Sequence, residues 1–368
     1  MEIINEEIIC GKKVWKFCGV TIFEKIKHNE KIEFKICGIV MLKIIEKEKF
    51  NSKLPDNFLG ETILPYEVDL INKFVPMMQK QNFKDDFLCL TKGLDKDSLR
   101  IVELIVSRLR IYKLFEKIHF CEEERKDIEF VKEAQKEIIK FGDENFYFRG
   151  YFLPIPCFSA NVIIFKHSIN SIVDMEKIKA KDIIDVGGFI GDSALILSSY
   201  TDKKVYSFEA LQVNFEAMKK TIELNRLTNV KLEKLALGSE PGEAKMPKCD
   251  LIASGLSIQI NGDLPFENYE TVPMETLDNY VEINNLSVGL IKVDIEGFEQ
   301  EFLKGAEQTI KKQKPTLLIS IYHNYNDFFK IKPLIESWDI GYTFKIVKPN
   351  DGGIVLETLL LAEFIEQI

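Results

Sequence analysis

The chain contains no run of eighteen apolar residues, so it offers no transmembrane helix. Histidine is scarce: the 4 present, at 28, 119, 167 and 323, nearly exclude a histidine-rich metal site. The 7 cysteines, at 10, 18, 37, 89, 121, 157 and 249, are odd in number and include no CxxC pair. That argues against a disulfide framework or zinc knuckle and reads as reduced thiols in a cytoplasmic protein. An excess of positive charge is also missing. With 49 Lys and Arg against 58 Asp and Glu, the formal charge is -9, which disfavours a nucleic-acid partner. The first ten residues, MEIINEEIIC, lack the basic flank and apolar stretch of a signal peptide. What is present is ample core material, 46% hydrophobic against 29% charged over 368 residues, enough for two or three domains.

Residues 15–25 (WKFCGVTIFEK) realign with 34–44 (FKICGIVMLKI), placing Cys18-Gly19 over Cys37-Gly38. Both copies are rich in β-branched and aromatic residues around a glycine, which predicts two short strands or a hairpin-like pair. Through Pro55 there are 11 Lys and 8 Glu, so this segment is +3 and the rest of the chain is -12. The readings that stay open for residues 1–55 are peripheral contact with a membrane surface or anionic glycan carrier, and a small packing appendage or a dimer contact in a homo-oligomer. From about 66 to 145 the period is helical. Val102, Ile105, Leu109 and Tyr112 form one apolar stripe, and Ile128, Val131, Ala134 and Ile138 another. The expected organisation is an N-terminal repeat tail over 1–60, an α-helical domain over 61–145 and a catalytic domain over 146–368.

From residue 181 strands and helices alternate. Strands are expected at 181–188, 204–210, 229–238, 289–297 and 314–324, with helices at 211–225 and 298–313. The fold class is therefore α/β, a parallel sheet with helices on both faces and its binding crevice at the carboxyl ends of the strands. Two further strands, 342–349 and 356–364, close the chain as an antiparallel hairpin around PNDGG.

The strongest local signal is DIIDVGGFIGDSA over 182–194. An apolar strand ends at Asp185, Gly187 and Gly188 permit a sharp turn, and Gly191 permits close approach of a ligand as the next helix starts. The second strand ends in Glu209, placed to accept hydrogen bonds from a ribose, which indicates a nucleoside cofactor. A dinucleotide site wants G-x-G-x-x-G, whereas position 189 here is Phe. Asp185 beside the loop suits an amino-bearing, cationic ligand such as S-adenosyl-L-methionine better than one with two phosphates.

These residues carry a resemblance. DVGGFIGDSA, the SFEA strand end, LALGS (235–239), METLDNYV (274–281) and LIKVDIEGFEQEFLKGAEQTI (290–310) resemble a class I methyltransferase of the FkbM type, over roughly residues 145 to 365. The resemblance implies a Rossmann-like S-adenosyl-L-methionine-dependent O-methyltransferase acting on a small-molecule or glycan hydroxyl, such as a sugar in a bacterial surface-glycan pathway. It implies a cofactor site made by Asp185, Gly187, Gly188, Phe189, Ile190, Gly191, Asp192, Ser193, Glu209, Ala210, Ala236 and Leu237. The rival readings are a non-catalytic cofactor-binding scaffold and a Rossmann-type sugar-nucleotide enzyme. The N-terminal repeat resembles tails of bacterial glycan-assembly enzymes, and the helical segment lies outside the shared motifs.

Methyl transfer to a hydroxyl needs a group that takes its proton at the carboxyl ends of strands four and five. Asp294 or a neutral His323 is the expected base, with Glu296 binding substrate or orienting its neighbour. The family's acidic residue two positions before this histidine is Ile321 here. Asn324 and Ser254 are candidate substrate contacts, the latter on the long connection 239–273, which reads as a lid or substrate loop. No metal is expected, because strand five lacks a clean set of carboxylates.

Overall fold

A computed structural model describes residues 4–9, 12–17, 20–28, 31–36, 39–44, 65–115, 118, 120–142, 145–248 and 269–365. The chain divides into two compact units, 1–126 with 352–356, and 127–351 with 357–368. Among the described residues no helix is long and apolar enough to cross a membrane.

In the first unit, β1 (Ile4–Ile9), β2 (Lys12–Phe17), β3 (Val20–His28), β4 (Lys31–Ile36) and β5 (Ile39–Ile44) pair in sequence order as an antiparallel meander. The internal repeat thus makes two hairpins within a five-stranded sheet, more strands than the two the repeat predicts. Both hairpins carry a register shift at the same place, between Trp15 and Lys16 in one and Phe34 and Lys35 in the other. The positions differ by the nineteen-residue repeat. Helices α1 (Pro65–Met78), α2 (Phe83–Thr91) and α3 (Lys96–Phe115) follow. Val102, Ile105 and Leu109 are buried as their spacing predicts, as are Phe74, Phe83 and Leu90. Segment 352–356 joins this unit because the buried Glu67 accepts hydrogen bonds from the N–H groups of Ile354 and Val355.

Helix α4 (Glu122–Gln135) runs into the second unit. The helical period ends there: β6 (Ile139–Phe141), β7 (Asn145–Phe148) and β8 (Tyr151–Leu153) form a small antiparallel sheet where the sequence suggested helix up to 145. Short helices α5 (Ala160–Ile163) and α6 (Met175–Lys179) lead into the main sheet. Its elements are β9 (Asp182–Val186), α7 (Asp192–Leu197), β10 (Val205–Phe208), α8 (Gln212–Leu224) and β11 (Val230–Glu233). The expected strand 229–238 breaks after β11. Its remainder, β12 (Ala236–Leu237), pairs in a separate three-stranded sheet with β13 (Gly242–Pro247) and β14 (Tyr269–Glu275). The ends of the predicted 239–273 loop are therefore strands.

The second half runs α9 (Leu277–Ile283), β15 (Val288–Val293), α10 (Glu299–Gln313), β16 (Thr316–Ser320), α11 (Tyr325–Glu336), β17 (Thr343–Val347) and β18 (Leu359–Glu363). The sheet order is β11-β10-β9-β15-β16-β18-β17. Strands β11 to β16 are parallel, and β18 enters antiparallel between β16 and β17. Ile183, Ile184, Val205, Leu290, Ile291, Leu317 and Leu318 are completely buried, as a sheet covered on both faces requires. Strand order reverses between β9 and β15, so the crevice of this fold opens beyond their carboxyl ends.

Candidate active site

The floor of the crevice is a row of polar residues at matching positions on three neighbouring strands. Register aligns Ser207 on β10 with Asp185 on β9, and Asp185 with Lys292 on β15. Lys292 Nζ lies 3.1 Å from Asp185 Oδ1 and donates to the Gly187 carbonyl at 2.8 Å, while Ser207 Oγ donates to Asp185 Oδ2 at 2.6 Å. Both charged side chains are buried, at 5% and 0% exposure. Burial alone would lower the Lys292 ammonium's pKa, but the charges of Asp185 and Asp294 outweigh it and hold the value above the usual one. Asp185, expected to meet a cationic ligand, is thus engaged within the protein and anchors the loop above it. Lys292 carried a signal that sequence reasoning passed over. A charge in the apolar strand GLIKV must find a partner across the sheet.

The glycine-rich loop after β9 folds back on β10, with the N–H groups of Gly187 and Gly188 donating to the Phe208 carbonyl at 3.1 and 2.8 Å. Gly187 has φ +81°, and a Cβ there would stand 1.9 Å from the Asp294 carbonyl oxygen, so only glycine fits. Gly188 and Gly191 pack directly against Met218 of α8. The space at Gly191, expected to admit a ligand, is taken by this helix. Phe189 adopts φ +47° and donates its N–H to Glu209 Oε2 at 2.9 Å. Glu209 Oε1 accepts from the Leu211 N–H at 2.8 Å. One carboxylate therefore ties the loop to the end of β10 and retains acceptor capacity, since each oxygen has a second lone pair. Burial pushes its pKa up to about 7, against the opposing pull of those N–H groups.

Other predicted cofactor residues are less accessible. Ile190 is fully buried in the core with Phe158 and Leu195. Ala236 and Leu237 are buried, with Ala210 packed against the same cluster as Ala236. Asp192 is buried and accepts from the Ser193 N–H at 3.0 Å, and burial lifts its carboxyl to about 6. Ser193 Oγ lies 2.9 Å from Nε2 of the buried His167, which the sequence reading left unassigned. Lys166, His167 and Ser168 all have positive φ. Burial and the Lys292 charge lower the His167 pKa to about 3, so this imidazole is neutral.

The predicted catalytic residues do meet. Asp294 and Glu296 follow β15, and His323 lies just beyond β16. His323 Nε2 lies 3.2 Å from Asp294 Oδ1 and 3.3 Å from Glu296 Oε2. Its Nδ1 lies 3.0 Å from Oε1 of Glu299, a residue not anticipated from the sequence. Glu299 is completely buried at the start of α10 and accepts the Ile295 N–H at 2.9 Å. Its position in the first turn, three residues after Glu296, was the available signal. Burial opposes charge on His323, but the charges of Glu299 and Asp294 win and hold its pKa well above the ordinary value. The neutral-base expectation for His323 is corrected accordingly: three surrounding carboxylates favour the imidazolium. Asp294, despite burial, is lowered to about 2 chiefly by His323 and Lys292.

Asn324 caps α11, its Oδ1 accepting the Asp327 N–H at 3.0 Å, so its expected substrate contact gives way to a helix-capping role. Ser254 lies outside the described residues. Asp294, Glu299 and His323 each offer a ligand atom, all within 4.8 Å of one another.

The Methyltransferase FkbM domain profile matches residues 185–349, from the anchoring aspartate through β17. Methyltransferase 1 of Beauveria bassiana (strain ARSEF 2860) is 26% identical over 187 residues, covering 46% of this chain and 74% of that protein. The crystal structure of Methyltransferase FkbM from Methylobacillus flagellatus KT aligns over 77% of this chain at 17% identity, with a TM-score of 0.48. This chain spans 59% of that structure's length. SMU.1697c, a putative methyltransferase from Streptococcus mutans in complex with SAH, aligns over 55% of this chain and 97% of its own, at 13% identity and TM-score 0.31. The matched residues 185–349 contain the glycine-rich loop and the KVDIEGFE segment, so the likeness to the Methyltransferase FkbM domain lies in the part of the chain that builds this crevice.

Proposed function

We propose that this protein is an S-adenosyl-L-methionine-dependent O-methyltransferase whose acceptor is a sugar hydroxyl of a surface-glycan pathway. The observation that carries the reading is the pairing of two elements across the switch point. Glu209 and the glycine-rich loop stand on one side, and Asp294, Glu296 and His323 on the other. The first suits a ribose-bearing cofactor, and the second faces the place where its methyl group would be presented.

Transfer is an in-line displacement in which the acceptor oxygen approaches the methyl carbon to about 3 Å. As the new C–O bond forms, the hydroxyl becomes strongly acidic, so a carboxylate of low basicity suffices to take its proton late in the step. Asp294 fits that role: its side chain is 22% exposed and ionised, and the Asp294 N–H is fixed to the Val186 carbonyl at 3.0 Å. Glu296, 23% exposed, binds a neighbouring hydroxyl of the acceptor. The basic 1–55 segment brings the protein to an anionic surface or carrier.

Calorimetric titration with S-adenosylhomocysteine, with NAD as control, tests the cofactor. Micromolar binding of the first alone is expected. Glu209→Ala should weaken it by roughly 1–3 kcal/mol, because charge-assisted hydrogen bonds are removed. Equal affinity in wild type and variant would overturn the ribose assignment. Methyl transfer from labelled cofactor to a panel of free and lipid-linked sugars tests the acceptor class, and transfer confined to non-sugar hydroxyls would overturn it.

A further inference from the structure

We infer that His323, Asp294 and Glu296 form a binding site for one divalent cation of the Mn²⁺ or Zn²⁺ class, with Glu299 orienting the imidazole from behind. The site shares the crevice with the proposed methyl transfer but stands on the cluster's own geometry.

His323 is 3% exposed, and neither ring nitrogen makes an aligned hydrogen bond, although carboxylate oxygens stand close to both. A buried imidazole without aligned partners calls for another ligand or a rearranged proton. The two nitrogens point to opposite sides of the ring, so one ion takes only one of them. Nδ1 faces Glu299, which is 0% exposed and already holds the Ile295 N–H. Nε2 faces Asp294 and Glu296, whose side chains are 22% and 23% exposed and reachable from the crevice. The ion therefore belongs at Nε2, where binding displaces the proton that the carboxylates otherwise hold on the imidazolium and releases it to solvent.

Distances fit. Metal bonds of about 2.1–2.2 Å at right angles place neighbouring ligand atoms about 3.0–3.1 Å apart. The two separations from Nε2 are 3.2 and 3.3 Å. A carboxylate on the far nitrogen is the usual outer partner of a metal-bound histidine, fixing the ring and raising its basicity, and Glu299 occupies that place at 3.0 Å. The surroundings also favour a cation. The Glu299 carboxylate is a third acidic group around the ring, 3.0 Å from Nδ1. Mixed imidazole and carboxylate donors suit borderline to hard divalent ions.

The test is titration of the full-length, chelator-treated protein with Mn²⁺, following free ion by electron paramagnetic resonance, with Zn²⁺ as competitor. One saturable ion per chain is expected, displaced by Zn²⁺, with a pulsed-resonance coupling to a ¹⁴N nucleus that reports imidazole ligation. Asp294→Asn and Glu296→Gln should each weaken binding at least tenfold, and His323→Gln should remove the ¹⁴N coupling, in variants whose circular dichroism matches wild type. Absence of saturable binding up to millimolar Mn²⁺ overturns the inference, as does binding that lacks the ¹⁴N coupling or is unchanged in the partly exposed Glu296→Gln. Titration of the same samples with S-adenosylhomocysteine separates the two ideas: cofactor binding without ion binding refutes the cation site alone, and the converse refutes the cofactor site alone.

Discussion

Replacing Lys292 by methionine keeps an unbranched side chain of similar length but deletes the cation that pairs with Asp185. In the wild type the ammonium stands 3.1 Å from Asp185 and donates to the Gly187 carbonyl at 2.8 Å, with both side chains almost wholly out of water. After the substitution the Asp185 carboxylate keeps the Ser207 hydroxyl at 2.6 Å as its polar partner. Breaking one side of a buried pair strands a charge, and the loss expected is about 3–5 kcal/mol. Asp185→Asn in the same chain removes the stranded charge while preserving shape. The Lys292→Met, Asp185→Asn double variant should therefore recover about 2 kcal/mol relative to Lys292→Met alone, a coupling typical of contacting residues. Urea unfolding at neutral pH, followed by far-ultraviolet circular dichroism, gives all four corners of the cycle. A Lys292→Met loss below about 1 kcal/mol, or strictly additive effects, would refute the view that this pair is desolvated and mutually dependent.

The loop and its carboxylate make two more predictions. Glu209 is raised from 4.5 to about 7, so the fold favours its protonated form. Its contribution is fully favourable below pH 4.5 and declines by up to about 3 kcal/mol as pH rises through 7. Glu209→Gln lacks that decline, so urea stability should shift in favour of the variant between pH 5 and pH 8, and a pH-independent difference would count against the buried state. Gly187→Ala places a methyl group 1.9 Å from the Asp294 carbonyl oxygen in a left-handed backbone. Calorimetry should show S-adenosylhomocysteine affinity reduced at least tenfold, and wild-type affinity would show that the loop can reshape without loss.

The alternation of strands and helices from 181 onward is legible in the sequence because both patterns are local. Apolar runs end at turn residues, and Phe302, Ala306 and Ile310 recur at helical spacing whatever they later pack against. The glycine-rich loop, Glu209 and the meeting of Asp294, Glu296 and His323 are legible for a related reason. A parallel sheet sends the carboxyl ends of its strands to one edge, so strand-end residues converge. The hairpin 342–364 is legible too, but only the sheet order shows β18 entering between β16 and β17. Periodicity within a strand says nothing about its neighbours.

The roles of individual side chains are decided by the tertiary structure. Asp185 anchors the loop because register sets Lys292 and Ser207 beside it on the two adjacent strands. Asn324 is turned to helix capping by the path of the chain into α11. His323 has a composition-independent identity in the sequence, yet its charge state is set by Glu299, Asp294 and Glu296, brought round it by α10 and the turn after β15. A residue's type and local pattern determine which element it joins. Its protonation and partners depend on groups distant in sequence and within about 4 Å in space, which only the packed fold brings together.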